Sequence, residues 1–160
     1  MEKHCKIYDS YIDILKKELV VAMGCTEPIA VAFCAAKARE LLGERPKKVR
    51  VQASGNIIKN VKSVIVPHTN GLRGLEAATA VGIFYGDASR ELEVISDVTA
   101  DDAASVKCRL CELDITVEPL ISSHVLDLVI SVSADERSVS VHIEDEQVSK
   151  RPWSYRGRCW

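Results

Sequence analysis

The stretch from Ile29 to Leu42 constrains the fold of this chain more than any other, because it leaves no polar face. Its residues are apolar with a few late charges, and a helix of that kind has to be buried all round. The helix is predicted over 27–42. Thr26 suits an N-cap, Glu27 favours the positive end of the helix dipole, and Pro28 falls in the first turn, where its missing N–H costs nothing. Gly43 supplies the C-terminal stop. The rest of the chain must therefore wrap around this segment.

The candidates for that wrapping are mixed. Residues 4–22 suit an earlier helix, since Tyr8, Ile12, Leu15 and Leu19 form one apolar stripe with Asp9, Asp13, Lys16 and Lys17 off it. Val49 to Ala53 alternates as a strand does. Residues 57–66 are β-branched and apolar with a Lys/Asn/Ser interruption, which predicts another strand or two short ones. A helix fits 73–85, ending at Gly86-Asp87. Leu92 to Ile95 reads as a short strand and Ala100 to Glu112 as a helix, while 115–118 is strand-like and stops at Pro119. Strands at 126–133 and 138–143 flank a turn at 134–137. Without a regular βαβ rhythm this is an α+β arrangement, with N-terminal helices packed on a mixed, mostly antiparallel sheet. The end of the chain, 150–160, holds both tryptophans and abandons the alternation. It is read as a tail outside the domain of 1–149, a truncated or frame-shifted end without a role of its own.

Charge and composition exclude several classes. A formal charge of −2 and a pI near 6.1 give no electrostatic case for nucleic acid or anionic membrane as partner. No apolar run reaches the ~20 residues a membrane span needs. Six cysteines with no apolar leader read as reduced thiols in a cytoplasmic protein rather than as a disulfide framework.

Cys25 is the thiol with a chemical argument. It stands on the doorstep of the buried helix, where unpaired N–H groups and partial positive charge favour the thiolate, the form that attacks electrophiles or ligates metal. The plainer reading is a small buried cysteine at a turn. Cys108 and Cys111 make a C-x-x-C late in a helix, without the second pair or the histidines of a zinc site, and read as small core hydrophobes, as does Cys34. Ser54-Gly55-Asn56 follows a strand and reads either as a polar turn or as a substrate-binding loop. His68 reads as a solvated loop residue, His4, His124 and His142 have no partner pattern, and Lys59 and Lys62 read as solvated lysines on an edge strand.

Three runs agree with one another: Gly24-Cys25-Thr26-Glu27-Pro28-Ile29-Ala30-Val31-Ala32, Ser54 to Val61 leading into Val64-Ile65-Val66-Pro67, and Gly71 to Ala78. Together they resemble the serine dehydratase-like alpha family, in particular its L-cysteine desulfidase members and their UPF0597 relatives, over most of 1–145. The loop at 67–71 departs from the family, which usually has Asn where His68 stands and Gly where Asn70 stands; Asn tolerates the left-handed backbone such a Gly supplies.

The resemblance implies an oxygen-sensitive 4Fe–4S cluster whose open iron eases β-elimination from L-cysteine or L-serine, giving pyruvate and ammonia. It makes Cys25 the catalytic and cluster-site residue, and it makes Thr26, Glu27, Ser54, Gly55 and Asn56 the substrate contacts. The family's other cluster cysteines lie in a C-terminal part that this chain lacks, so the expectation is a chain inactive alone that holds no cluster. Its partner would be a C-terminal half or second subunit. The alternative is a non-catalytic remnant that binds an amino acid or a partner chain.

Overall fold

The computed structural model describes residues 6–18, 24–144 and 154–159, with the side chains of 6–7, 17–18 and 154–159 left aside. His4, Cys5, Leu19 and most of the 150–160 tail lie outside it in whole or in side chain. The elements are α1 (Lys6–Glu18), α2 (Thr26–Leu42), β1 (Lys48–Ser54), α3 (Gly55–Ser63), α4 (Leu75–Tyr85), α5 (Ala100–Arg109), β2 (Asp114–Leu120), β3 (Asp127–Ala134), β4 (Arg137–Glu144) and β5 (Ser154–Cys159), with short 3-10 turns at Ala88–Glu93 and Leu110–Glu112. The fold is α+β.

α2 is the centre, as its sequence demands. Ile29, Val31, Ala32, Cys34, Ala35, Ala36 and Ala38 are all fully buried. One side lies on β3 and β4, where Cys34 Sγ reaches the carbonyl of Val141 at 3.4 Å, and another lies on α4. The αL residue Gly43 ends the helix, its N–H returning to the Arg39 carbonyl. Arg39 in turn donates to the carbonyls of Ile83 at 3.0 Å and Gly86 at 2.8 Å, satisfying the C-terminal end of α4.

The sheet has five strands in the order β2-β1-β3-β4-β5, with β1 parallel to β2 and the other pairs antiparallel. The period of two decides its faces. Val49, Val51 and Ala53, Leu128, Ile130 and Val132, and Val139, Val141 and Ile143 are buried toward the helices. Between them Arg50, Ser131, Ser140 and His142 stand on the other, polar face, with Arg50 paired to Glu118 and Ser131 to Ser140.

Several local readings need correction. Residues 57–66 are not strand: Gly55–Ser63 is the helix α3, because Ile57 and Val61, four apart, are the pair that the core takes in. Lys59 and Lys62 are therefore exposed on a helix, not on an edge strand. The stretch at 92–95 belongs to the 3-10 turn Ala88–Glu93 and the turn that follows it instead of forming a strand, and Leu92, Val94 and Ile95 insert into the core. β2 runs through Pro119, which an edge strand tolerates. Residues 154–159 pair with β4, so the broken alternation of the tail concealed a strand.

Candidate functional site

The site is built at the N-terminal end of α2, where the connection from Gly24 meets three other segments. Gly24 has φ 149°, and a Cβ there would stand 3.4 Å from Pro67 Cγ, so the turn before the helix lies beside the 67–71 loop. That loop holds His68 and Asn70 in the left-handed region at φ 57° and 54°, the conformation expected of Asn70. Thr69 beneath them is buried and donates to the carbonyl of Val66 at 2.6 Å. His68 is exposed.

Cys25, not Thr26, is the N-cap, with extended backbone (φ −62°, ψ 125°). Its side chain caps no backbone N–H; Sγ donates instead to Glu27 Oε2 at 2.8 Å. Asn60 Nδ2 on α3 donates to the other oxygen, Glu27 Oε1, at 3.1 Å. Both carboxylate oxygens are thus engaged. These bonds, with that from Cys25 the largest influence and the N–H of Glu27 itself next, hold the Glu27 carboxyl below its ordinary range, so it is ionised at neutral pH.

The same bond has the opposite effect on the thiol. Burial, followed by the hydrogen bond donated to Glu27 and the charge of that carboxylate, holds Cys25 above its ordinary value, against a lowering contribution from the backbone at Glu27. The expectation of a depressed thiol is therefore overturned. The helix end is present, but burial first, and then a carboxylate two residues on, outweigh it.

Thr26, Glu27 and Ala30 of α2, Asn56 and Ile57 of α3, and Val125 and Leu126 ahead of β3 line a pocket of about 120 Å³. Three of the residues singled out in the sequence, Thr26, Glu27 and Asn56, thus share one pocket, with Cys25 joined to them through Glu27. Ser54 does not join them: it is buried, and its hydroxyl donates to the carbonyl of Val125 at 2.9 Å, so it fixes the pocket-lining loop from below. Ser54-Gly55-Asn56 is accordingly not a loop but a strand end passing directly into α3, with Gly55 as first helical residue. Sequence reading missed Asn60. Its signal was there, four residues beyond Asn56, but only for a reader who took 55–63 as helix.

The remaining thiols sit elsewhere. Cys34 is sealed in the core, where burial pushes its pKa far up. Cys108 and Cys111 are exposed near the end of α5, not core residues as their spacing suggested. Among the described residues no three His, Cys, Asp or Glu side chains are grouped to hold a metal ion. An iron–sulfur cluster takes three or four ligands, and among the described residues one thiol, Cys25, meets a residue lining this pocket, so the described residues do not by themselves fit the group. His142, unassigned in the sequence, meets Asp127 at 2.7 Å on the polar face of the sheet.

Fold and pocket together define an α+β domain with a pocket of mixed polar and apolar lining at one end of a buried helix. Its relatives name the family. The chain is 50% identical over 145 residues to a UPF0597 protein of Desulfitobacterium hafniense, covering 91% of this chain and 34% of that one. It is 49% identical over 141 residues to a UPF0597 protein of Finegoldia magna (88% and 34%) and 46% identical over 137 residues to one of Lachnoclostridium phytofermentans (86% and 33%). The chain belongs to the UPF0597 family and spans about a third of the length of these relatives. No protein-family model matches it, and no solved structure does. Among the described residues no helix is long and apolar enough to cross a membrane.

Proposed function

We propose that this chain is the amino-acid-binding portion of a lyase resembling L-cysteine desulfidase, which removes sulfide from L-cysteine, or water from L-serine, by β-elimination. The observation that supports the reading is that Thr26, Glu27 and Asn56 line one pocket, with the Glu27 carboxyl held below its ordinary range. The Glu27 carboxylate suits a substrate ammonium. The Asn56 amide suits its carboxylate. Asn60 keeps Glu27 in place, and Cys25 Sγ, beside it, holds a proton at neutral pH. The pocket's volume suits an amino acid with a side chain of one or two heavy atoms.

A 4Fe–4S cluster, in a protein that has one, supplies the Lewis acid that draws off the thiol or hydroxyl. A second reading, an amino-acid-binding domain without turnover, is favoured by the protonated state of Cys25. Titration of the chain with L-cysteine, L-serine and acetate, followed by amide chemical shifts, tests the shared claim. Both amino acids are expected to perturb Thr26, Glu27, Asn56 and Asn60, and Glu27→Gln to weaken binding at least tenfold. Equal responses to acetate and to the amino acids would remove the case for ammonium recognition. Sulfide release from L-cysteine by a full-length relative then separates lyase from binding module.

A further inference from the structure

α1 is an amphipathic helix with an exposed apolar patch. At 100° per residue Tyr11, Ile14 and Leu15 fall within an arc about 100° wide, with the half-buried Ile12 to one side of it and Asp9, Asp13 and Lys16 opposite. Such a stripe ordinarily faces a core. Here Tyr11 is 63% exposed, Ile14 53% and Leu15 49%. The core is closed by α2, α4, the sheet and the elements between them, and among the described residues none of α1 belongs to it. A 13-residue helix is marginal in water on its own, because propagation barely recovers the cost of nucleation. The sequence of α1 therefore fits a helix that something else holds in place.

The family's length and the chemistry of the face say what. The relatives from Desulfitobacterium and Finegoldia are each matched over only 34% of their length, so about two thirds of their polypeptide lies outside the matched region and can supply a cover for such a patch. α1 carries three acids (Asp9, Asp13, Glu18) and three lysines (Lys6, Lys16, Lys17), a balance that gives an anionic lipid surface little to attract. Tyrosine among aliphatics, apolar in body and polar at the tip, is the composition of a protein interface.

We propose that the Tyr11–Leu15 face of α1 is the seat of a further segment of UPF0597 polypeptide, drawn from the part of the family sequence with which this chain does not align. The inference is independent of the proposed chemistry. Hydrogen exchange on two native proteins tests it: this 160-residue chain and the full-length Desulfitobacterium relative. The amides of α1 are expected to exchange at least tenfold faster here than the aligned amides do in the longer protein. Fusing the relative's remaining sequence to this chain should slow them, and Tyr11→Asp with Leu15→Asp in the fusion should restore fast exchange. The same pair placed in the 160-residue chain should leave its melting temperature unchanged. Equally fast exchange in both native proteins would overturn the proposal, as would a fall in melting temperature from the pair. Protection in this chain alone that is lost on dilution would overturn it too, by making a second copy the occupant. If the fusion does not fold, the comparison of the two native proteins still decides.

Discussion

Gly82 on α4 lies so close to Ala32 on α2 that a Cβ built on the glycine would stand 2.2 Å from the Ala32 carbonyl oxygen. The next turn repeats the arrangement, with the position of a Gly86 Cβ 2.8 Å from Ala36 Cβ. Two helices approach along a seam of Ala32 and Ala36 against Gly82 and Gly86, and Arg39 locks its end by bonding the last carbonyls of α4. The obstacle at Gly82 is backbone, which cannot rotate away.

Gly82→Ala is therefore expected to destabilise, although alanine is the better helix former. Overpacking of this kind costs about 1–3 kcal/mol, and thermal unfolding is expected to shift down by several degrees. A melting temperature at or above that of the native chain would mean that the helices are farther apart than described.

Ala35→Asp tests the centrality of α2. Ala35 is fully buried, and the element around it has no polar face to which a carboxylate can turn. An unpaired charge in such a place costs about 3–5 kcal/mol, enough to leave much of the chain unfolded. Circular dichroism and denaturant unfolding give the answer.

How much of this was legible in advance depends on what kind of signal each element carried. α2 was readable because a helix without a polar face has only one place to go, and β3 and β4 because alternation over eight residues fixes both strand and face. α3 was not, since Ile57, Ile58, Val61 and Val64 satisfy a strand by composition and a helix by spacing, and only packing chooses. The pocket was half legible: Cys25, Thr26, Glu27 and Asn56 were visible as motif residues. Asn60 and the committed Ser54 hydroxyl depended on knowing that the strand runs straight into a helix. The direction of the Cys25 shift was hidden for a sharper reason. A helix N-terminus and a carboxylate two residues away pull oppositely, and sequence does not say whether Glu27 turns back to meet the thiol.

Anaerobic reconstitution of the 160-residue chain with iron and sulfide is expected to leave no stable cluster and no cysteine-dependent sulfide release. Cys25 is at the pocket, Cys34 is sealed in the core, and Cys108 and Cys111 are exposed near the end of α5. A single thiolate leaves a cluster open to loss. A brown preparation with the absorption of a 4Fe–4S centre would show that thiols described here as separate can converge.

The Cys25–Glu27 pair gives the last expectation. In the native chain the exposed Cys108 and Cys111 should alkylate before Cys25, which is half-buried and held in its protonated form. Glu27→Gln removes both the negative charge and the strongest acceptor, leaving burial as the main opposing influence, so Cys25 labelling near pH 7.5 should become severalfold faster. Stability follows the same two groups with opposite signs. Glu27 lies below its ordinary 4.5 in the folded chain, so its contribution is present above that pH and is lost as the pH falls through the folded value. Cys25 lies above its ordinary 9.0, so its contribution is present below that pH and is lost as the pH rises through the folded value. Peptide mapping after brief iodoacetamide treatment, in native and Glu27→Gln chains across pH 6 to 9, measures the first effect. Labelling of Cys25 ahead of Cys108 in the native chain, or no acceleration in the variant, would mean that the thiol does not bond Glu27 in solution.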